Sequence, residues 1–513
     1  MAEAAAKVTT EHPQRVPLTG AQYLESLRDD REIWLNGERV KDVTIHPGFR
    51  NGARSVARLY DALHDPEQQT VLTGLTPNGA LTHKSFLLAR TPQELLARSE
   101  AMRAWSRLHF GFMGRSPDYK AGLVVSLGAW PEYFEPYAEN ARRWYHKLAD
   151  ECLYLNHVGI NPMVDRSKAL HEQKEIFVRA IEERDDGIVV SGAKMVGTAA
   201  AFTHYNFVFN YGAVPLSDGD KDHALVFIIP TNAPGVKLLS RPSYELAASR
   251  SHPFDYPLSS RFDENDATMI LDRVFVPWEN VFVFRDIPKT NGFFPQVQVL
   301  QNLMLQGATR FVTKLEFFTG LFMRIAESNG TIGFRGVQEK LGEAVAHVHT
   351  FNALVRDACL SPDPAANGYV APSHRSMWAY RVQAPSVYPR LRELIELVAA
   401  GGLIQIPSSA KDFANPALRT FIDQYYKGAN VDAEQRVKLS KLVWDAIGSE
   451  FGGRHELYER NYAGNVENLK VETFFSTQMD GDRAVLEGLV QSCLDDYDLN
   501  GWTVPTWIGP EKD

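Results

Sequence analysis

The sequence predicts an α+β chain of several domains, with a helical N-terminal part, a compact all-β middle and a helical C-terminal bundle. Three observations carry this expectation. Residues 19–153 repeatedly place apolar side chains three and four positions apart, the helical period. Residues 154–284 break into short strand-like runs separated by turn clusters. Beyond Gly292 the helical period returns over long stretches. Strands that do not alternate with helices argue against a Rossmann sheet. The boundaries that follow are 1–153, 154–290 and 291–513, in line with 513 residues at roughly 100–200 per domain.

Element by element, Ala53–Leu63, Pro92–Ser106 and Glu132–Leu148 read as amphipathic helices, with turns at Pro77-Asn78-Gly79 and Ser116-Pro117-Asp118. The strands are Ile176–Glu182, Gly187–Gly192, Phe207–Tyr211, Ala224–Pro230, Val236–Arg241, Ala267–Val276 and Val281–Phe284. The bundle comprises Val299–Asn329, Val337–Leu360, Tyr380–Ala400, Ala433–Gly448 and Asp482–Tyr497. In the first of these, Leu303, Phe311, Leu315, Phe318 and Phe322 form one apolar face.

Composition narrows the function classes. Hydrophobic residues at 44% and charged residues at 23% are the balance of a soluble globular protein. A net charge of -9 and a pI near 6.0, without a long Lys/Arg run, argue against nucleic acid as a partner. Cys152, Cys359 and Cys493 are widely spaced and odd in number, so neither a disulfide framework nor metal-ligand spacing is expected. The first sixteen residues lack the apolar core of a signal peptide, and no run of about 18 apolar residues predicts a membrane span. A cytoplasmic location is expected, with no metal.

Five segments concentrate chemistry. In Gly111–Lys120, Arg115 could fix an anionic or phenolate oxygen with its forked donors, and Tyr119 could share its cavity if a helix begins at Pro117. The bland alternative is an Arg–Asp pair that ties down a loop. In Tyr154–Arg166, His157 is the natural acid–base group, although a lone histidine in an apolar neighbourhood is more often a hydrogen-bonded core residue. In Ser191–Ala201, Gly197 and its small neighbours would admit a flat ligand beside the Thr198 hydroxyl, or serve a tight strand crossing. In Ser251–Asp266 the closing acidic run suits an exposed turn; a hard-cation site is the weaker reading. In Gly448–Gly464, three glycines ahead of Arg454 could cradle an anion or pyrophosphate, or merely pack a helix against a loop.

Taken together, these segments resemble the large, oxygenase component of the 4-hydroxyphenylacetate 3-monooxygenase family, which includes p-coumarate hydroxylases and hydroxylases of carrier-tethered tyrosines. The resemblance runs from Leu18–Asp29 through Pro253–Asp266, Val276–Val281, Phe334–Gln338 and Arg454–Tyr462 to Tyr497–Trp502. It implies an acyl-CoA dehydrogenase-like fold in a homotetramer. It also implies reduced FAD, delivered by diffusion from a separate NAD(P)H-dependent flavin reductase. Oxygen would add at flavin C4a, and the hydroperoxide would hydroxylate a phenol ortho to its hydroxyl. By position, the resemblance puts Arg115, Tyr119 and His157 around the substrate hydroxyl and Thr198 near flavin N5. It makes Asn156, His157, Met163, Val164, Asp165, Arg166, Arg454, Tyr462, Ala463, Gly464 and Asn465 flavin contacts, and Tyr211, Gly212, Ala213, Val214 and Pro215 a closing substrate loop.

Departures from the family pattern include Phe112 for Trp, Gly159 for a bulky aliphatic residue, Met163 for Pro, Arg250-Ser251-His252 for Thr-Gly-Ser, and Gln306-Gly307-Ala308 for a Cys- or His-containing stretch. None is expected to touch the catalytic trio, and together they leave room for a larger or carrier-tethered phenol. Two other classes remain open: a flavin-dependent dehydratase of the same fold, which would need iron–sulfur ligands, and a catalytically silent flavin-binding protein.

Overall fold

The computed structural model describes residues 15–504 apart from 166, 169 and 212–214. The chain opens with helix α1 (Gly20–Ser26), whose first turn is closed by a reciprocal Thr19–Gln22 capping box. A tight hairpin follows, β1 (Glu32–Leu35) and β2 (Glu38–Val40), turning through Asn36 and Gly37 at positive φ. The main N-terminal helices are α2 (Arg50–Ala62), α3 (Pro92–Leu108), α4 (Pro117–Ala129) and α5 (Ala138–Asp150). Helix α5 begins six residues later than the periodicity predicts, because Pro136 withholds an amide and a short 3-10 turn occupies Pro131–Phe134. Helix α4 is buried on nearly every side and packs against α5 and the long bundle helix α6 (Val299–Ser328), which explains its lack of a polar face.

The β region comprises β3 (Leu155–Ile160), β4 (Arg179–Arg184), β5 (Gly187–Thr198), β6 (Tyr205–Tyr211), β7 (Leu225–Pro230), β8 (Val236–Ser240), β9 (Asp266–Pro277) and β10 (Val281–Phe284). They form a six-stranded sheet, β2-β1-β8-β9-β5-β4, and a four-stranded sheet, β10-β7-β6-β3. Two differences from the sequence expectation matter. Strand β1 pairs in parallel with β8, so the N-terminal hairpin completes the larger sheet from across the 153/154 boundary. Strand β3 carries Asn156 and His157 among apolar residues, a mixture that alternation alone does not flag, and it pairs in parallel with β6.

The bundle contains α6, α7 (Arg335–Leu360), α8 (His374–Ala399), α9 (Ala433–Ile447), α10 (Glu450–Asn461), α11 (Val466–Met479) and α12 (Asp482–Leu494). Helix α10 corrects the glycine-cradle reading. Gly452 and Gly453 are helical, and Ser449 caps the first turn by accepting from the Gly452 amide. The acidic run 263–266 is also corrected, because Asp263, Glu264 and Asn265 are buried and bonded instead of exposed. Among the described residues no helix is long and apolar enough to cross a membrane.

Candidate active site

The site is built where α4, β3, the segment leading into β9, and α10 meet. The turn before α4 is held by one carboxylate. Glu264 accepts from the Gly114 amide at 2.6 Å and the Arg115 amide at 2.7 Å, while Tyr154 Oη donates to the Arg115 carbonyl at 2.6 Å. Gly114 is required there, since a Cβ would fall 2.3 Å from Tyr458 Oη. So anchored, Arg115 lays its guanidinium 4.1 Å from the Tyr119 ring centroid and donates to Tyr458 Oη at 2.6 Å. Burial opposes its charge, but the phenol oxygens of Tyr119, Tyr458 and Tyr462 and the Glu264 carboxylate outweigh burial and keep it a cation.

The Arg–Asp alternative is not what forms. Asp118 accepts instead from Ser116 Oγ at 2.5 Å and Gln306 Nε2 at 3.3 Å, and burial pushes its carboxyl up to about 6. Tyr119 stands on the first turn of α4, with its ring centroid 5.6 Å from that of His157. Burial raises the Tyr119 phenol against the pull of Arg115. Burial, Lys120 and Arg115 in turn hold the His157 imidazole well below its usual range, so it is neutral. Lys120 Nζ lies 2.8 Å from His157 Nδ1 and donates to Asn156 Oδ1 at 3.0 Å. Asn156 Nδ2 donates to Asn206, so both ends of this fully buried carboxamide are engaged behind the imidazole.

A second cluster adjoins the first. Thr198 Oγ1 donates to Asp266 Oδ1 at 2.5 Å, and Asp266 also receives Arg454 at 2.8 Å and Arg241 at 2.8 Å. Burial works against the Asp266 carboxylate, yet the two guanidinia prevail and hold it far below the carboxylate range. Arg454 sits 5.0 Å from the Tyr458 ring, which links this cluster to Arg115 through a single phenol. A Cβ on Gly197 would lie 3.5 Å from Asn156 Nδ2, so the end of β5 lies directly beside β3. On the open side, Met163 (63% exposed), Val164 and Val196 present apolar side chains to solvent, and the Met163 amide donates to Met195 Sδ.

The remaining expected residues are placed as follows. The Tyr462 hydroxyl meets that of Tyr380, and Gly307 must be small because a Cβ would fall 2.3 Å from Tyr462 Oη. Ala463 accepts from Arg381 through its carbonyl, Gly464 has φ +119°, and Asn465 caps α11. Asp165 accepts from the Ser167 amide and hydroxyl. Tyr211 packs 4.7 Å from Phe294, Pro215 is exposed, and the neighbouring Leu216 is clamped by Asn291 through two hydrogen bonds. Arg166, Gly212, Ala213 and Val214 lie outside the described residues.

Sequence reasoning missed Lys120, Tyr458, Glu264 and Asp266 as parts of this site. Arg454, Tyr458 and Tyr462 are four apart, a helical signal that the glycines obscured. Three of the family departures, at 112, 159 and 306, prove to be internally filled, whereas Met163 and Arg250-Ser251-His252 are exposed. Phe209 occupies the space that Gly159 leaves, where a Cβ would meet its ring at 2.2 Å, and Phe209 lies parallel to His157 with centroids 6.3 Å apart. One departure therefore does reach the trio, and it does not by itself widen the cavity. Phe112 packs in the core against Phe317, Phe451 and His455, and Gln306 bonds to Ser116 and Asp118.

Comparison with known proteins follows the same lines. Residues 19–283 match the family model described as 4-hydroxyphenylacetate 3-hydroxylase N terminal, and residues 290–491 match its C-terminal counterpart. The chain is 48% identical to a 4-hydroxyphenylacetate 3-monooxygenase oxygenase component of Pseudomonas aeruginosa, over 96% of each chain. It is 46% identical to a Streptomyces globisporus monooxygenase named for a (3S)-3-amino-3-(3-chloro-4-hydroxyphenyl)propanoyl group on a peptidyl-carrier protein, over 95% of this chain and 93% of that one. A crystal structure of an oxygenase component of 4-hydroxyphenylacetate 3-monooxygenase, complexed with FAD and 4-hydroxyphenylacetate, superposes with a TM-score of 0.86 at 34% identity. That match covers 93% of this chain and 99% of the other. The helix–sheet–helix order is thus the acyl-CoA dehydrogenase-like architecture that the sequence resemblance implied. With both halves of the family matched in order along most of its length, the chain belongs to the 4-hydroxyphenylacetate 3-hydroxylase family.

Proposed function

We propose that this protein is the oxygenase component of a two-component monooxygenase, and that it hydroxylates a phenol ortho to its hydroxyl using reduced FAD and O2. The observation that carries this reading is the convergence of Arg115 and His157 on Tyr119, at 4.1 Å and 5.6 Å from its ring centroid. A phenol is un-ionised at neutral pH, with a pKa of about 10. A fixed guanidinium and a neutral imidazole on the ring oxygen favour phenolate character, which enriches the ortho carbon for attack by an electrophilic oxygen. Tyr458 and Glu264 keep the guanidinium from swinging away.

The residues around Thr198 fit a flavin. Exposed apolar side chains at Met163, Val164 and Val196 suit a flat ring, and Arg454 supplies a buried cation. Asp165 and the Tyr462–Asn465 turn would complete the binding surface, with Asn156 supporting it from behind. Reduced FAD, when bound, supplies together with O2 the oxygen that is transferred. The substrate is a phenolic acid or a carrier-tethered phenol, and a separate NAD(P)H-dependent reductase supplies the flavin. Apolar side chains exposed on α11 and beyond, among them Phe474, Phe475, Leu486 and Leu489, favour assembly with further copies; the homotetramer and the cytoplasmic location are carried over from the family resemblance alone.

The dehydratase reading finds no support in the cysteines. Cys152 lies beside Thr82 and His83, Cys359 beside Leu95, and Cys493 is exposed on α12. The test is turnover. The protein with NADH alone should do nothing, whereas adding a flavin reductase and FAD should give catechol and oxygen uptake. Arg115→Ala or His157→Ala should cut the rate by about 10²–10³-fold, with the circular dichroism spectrum retained. Full activity in both variants would overturn the assignment.

A further inference from the structure

Lys120 is fully buried, yet no carboxylate among the described residues lies within 4.0 Å of its amine. Its two partners are a neutral carboxamide, Asn156, and the imidazole of His157. An unpaired buried ammonium is costly, so such a group either loses its proton or awaits an anion. Every charged group acting on it comes from the site itself. Arg115 repels a proton there, while Glu264 and Asp266 attract one from beyond ion-pair range. Burial dominates, and it holds the amine well below the usual lysine range.

Both protonation states suit the observed geometry. A neutral amine accepts a hydrogen bond from His157 Nδ1–H and donates one to Asn156 Oδ1, leaving Nε2 free to accept. An ammonium donates to Nδ1 and to Asn156, leaving Nε2 as an N–H donor.

We propose that Lys120 is a positioning residue that acts through His157, taking up in the dark interior of the protein the proton that the phenol surrenders. In this step the phenol O–H bond breaks as an N–H bond forms at His157 Nε2. The Nδ1–H bond breaks as a third N–H bond forms on Lys120. The result is a phenolate beside Arg115 and an ammonium behind the imidazole, with no electrons exchanged. The anion that Lys120 lacks is then the ionised substrate. This inference rests on the phenol-binding reading of the site.

The probe is 4-nitrophenol, whose phenol and phenolate differ in colour, titrated against the full-length protein below the probe's free pKa. The wild type should bind it as phenolate. Calorimetry in buffers of different ionisation enthalpy should show almost no net proton release, because Lys120 takes the proton internally. In Lys120→Arg, whose cation keeps its proton, about one proton per bound probe should appear in solvent. In Lys120→Met the ionisation of the bound probe should move up by about one pH unit, a tenfold change. Equal proton release from wild type and Lys120→Arg, or an unchanged probe titration in Lys120→Met, would overturn the relay while leaving the phenol site standing. Failure of the wild type to bind the probe at all would remove both.

Discussion

Lys120 on α4 and Lys314 on α6 are two sealed lysines, each about 3 Å from Nδ1 of a histidine. Lys120 faces His157 with only a carboxamide for company. Lys314 faces His455 and also donates to Glu459 at 2.9 Å, a carboxylate that at the same time grips Arg310 through both oxygens. The second arrangement carries its own neutralising charge, and burial lowers its lysine only to about 8. The first leaves a vacancy in the local charge balance, next to the place where a phenol oxygen is expected. Under the relay proposed for Lys120, the difference separates a cation that holds helices together from an amine that gains its charge when a phenol ionises.

The largest effect that sharpens the comparison is Glu459→Gln. It strands Arg310 and Lys314 without a counter-charge and should cost about 3–5 kcal/mol in urea unfolding. The pH dependence has a definite sign. Burial opposes the Glu459 carboxylate, but Arg310 and Lys314 hold it at about 2 against 4.5 unfolded. Its stabilisation is therefore complete above pH 4.5 and drains away as pH falls towards 2. The gap between wild type and Glu459→Gln should narrow over that window, and a gap that stays constant would contradict the pairing.

Next is the packing on the site imidazole. Gly159→Val would drive a side chain into Phe209, costing about 1–3 kcal/mol, and the added substitution Phe209→Ala should recover part of it. Additive losses in the double variant would break the claim that Phe209 fills the space left at Gly159. The smallest effect is expected from Lys120→Met, which replaces an uncompensated amine with an apolar chain. Stability should be unchanged or higher by about 1 kcal/mol, even as probe ionisation shifts. A large destabilisation would put Lys120 in the same class as Lys314.

Much of the architecture was legible because amphipathic helices announce themselves. The readings of 53–63, 92–106, 299–329 and 433–448 fall within a few residues of α2, α3, α6 and α9. The site was legible only in part. Arg115, Tyr119 and His157 came from local chemistry and resemblance, and the structure brings them together. Glu264 was not recoverable, because an acidic run next to prolines looks solvated until the amides of Gly114 and Arg115 arrive from 150 residues away. Helix α10 was obscured by Gly452 and Gly453, which carry a low helical propensity. Gly452 is small because a Cβ would come within 2.7 Å of the Ala446 carbonyl.

The hairpin of β1 and β2 joins the larger sheet only when Ile33 meets Leu238, roughly two hundred residues later in the chain. During synthesis, that edge must wait until most of the β region has emerged from the ribosome. Such distant pairing slows folding and leaves an unpaired strand open to wrong partners meanwhile. A fragment cut at residue 154 would expose the edge of β8 permanently, so the β region is not a module that can be transplanted without its N-terminal hairpin.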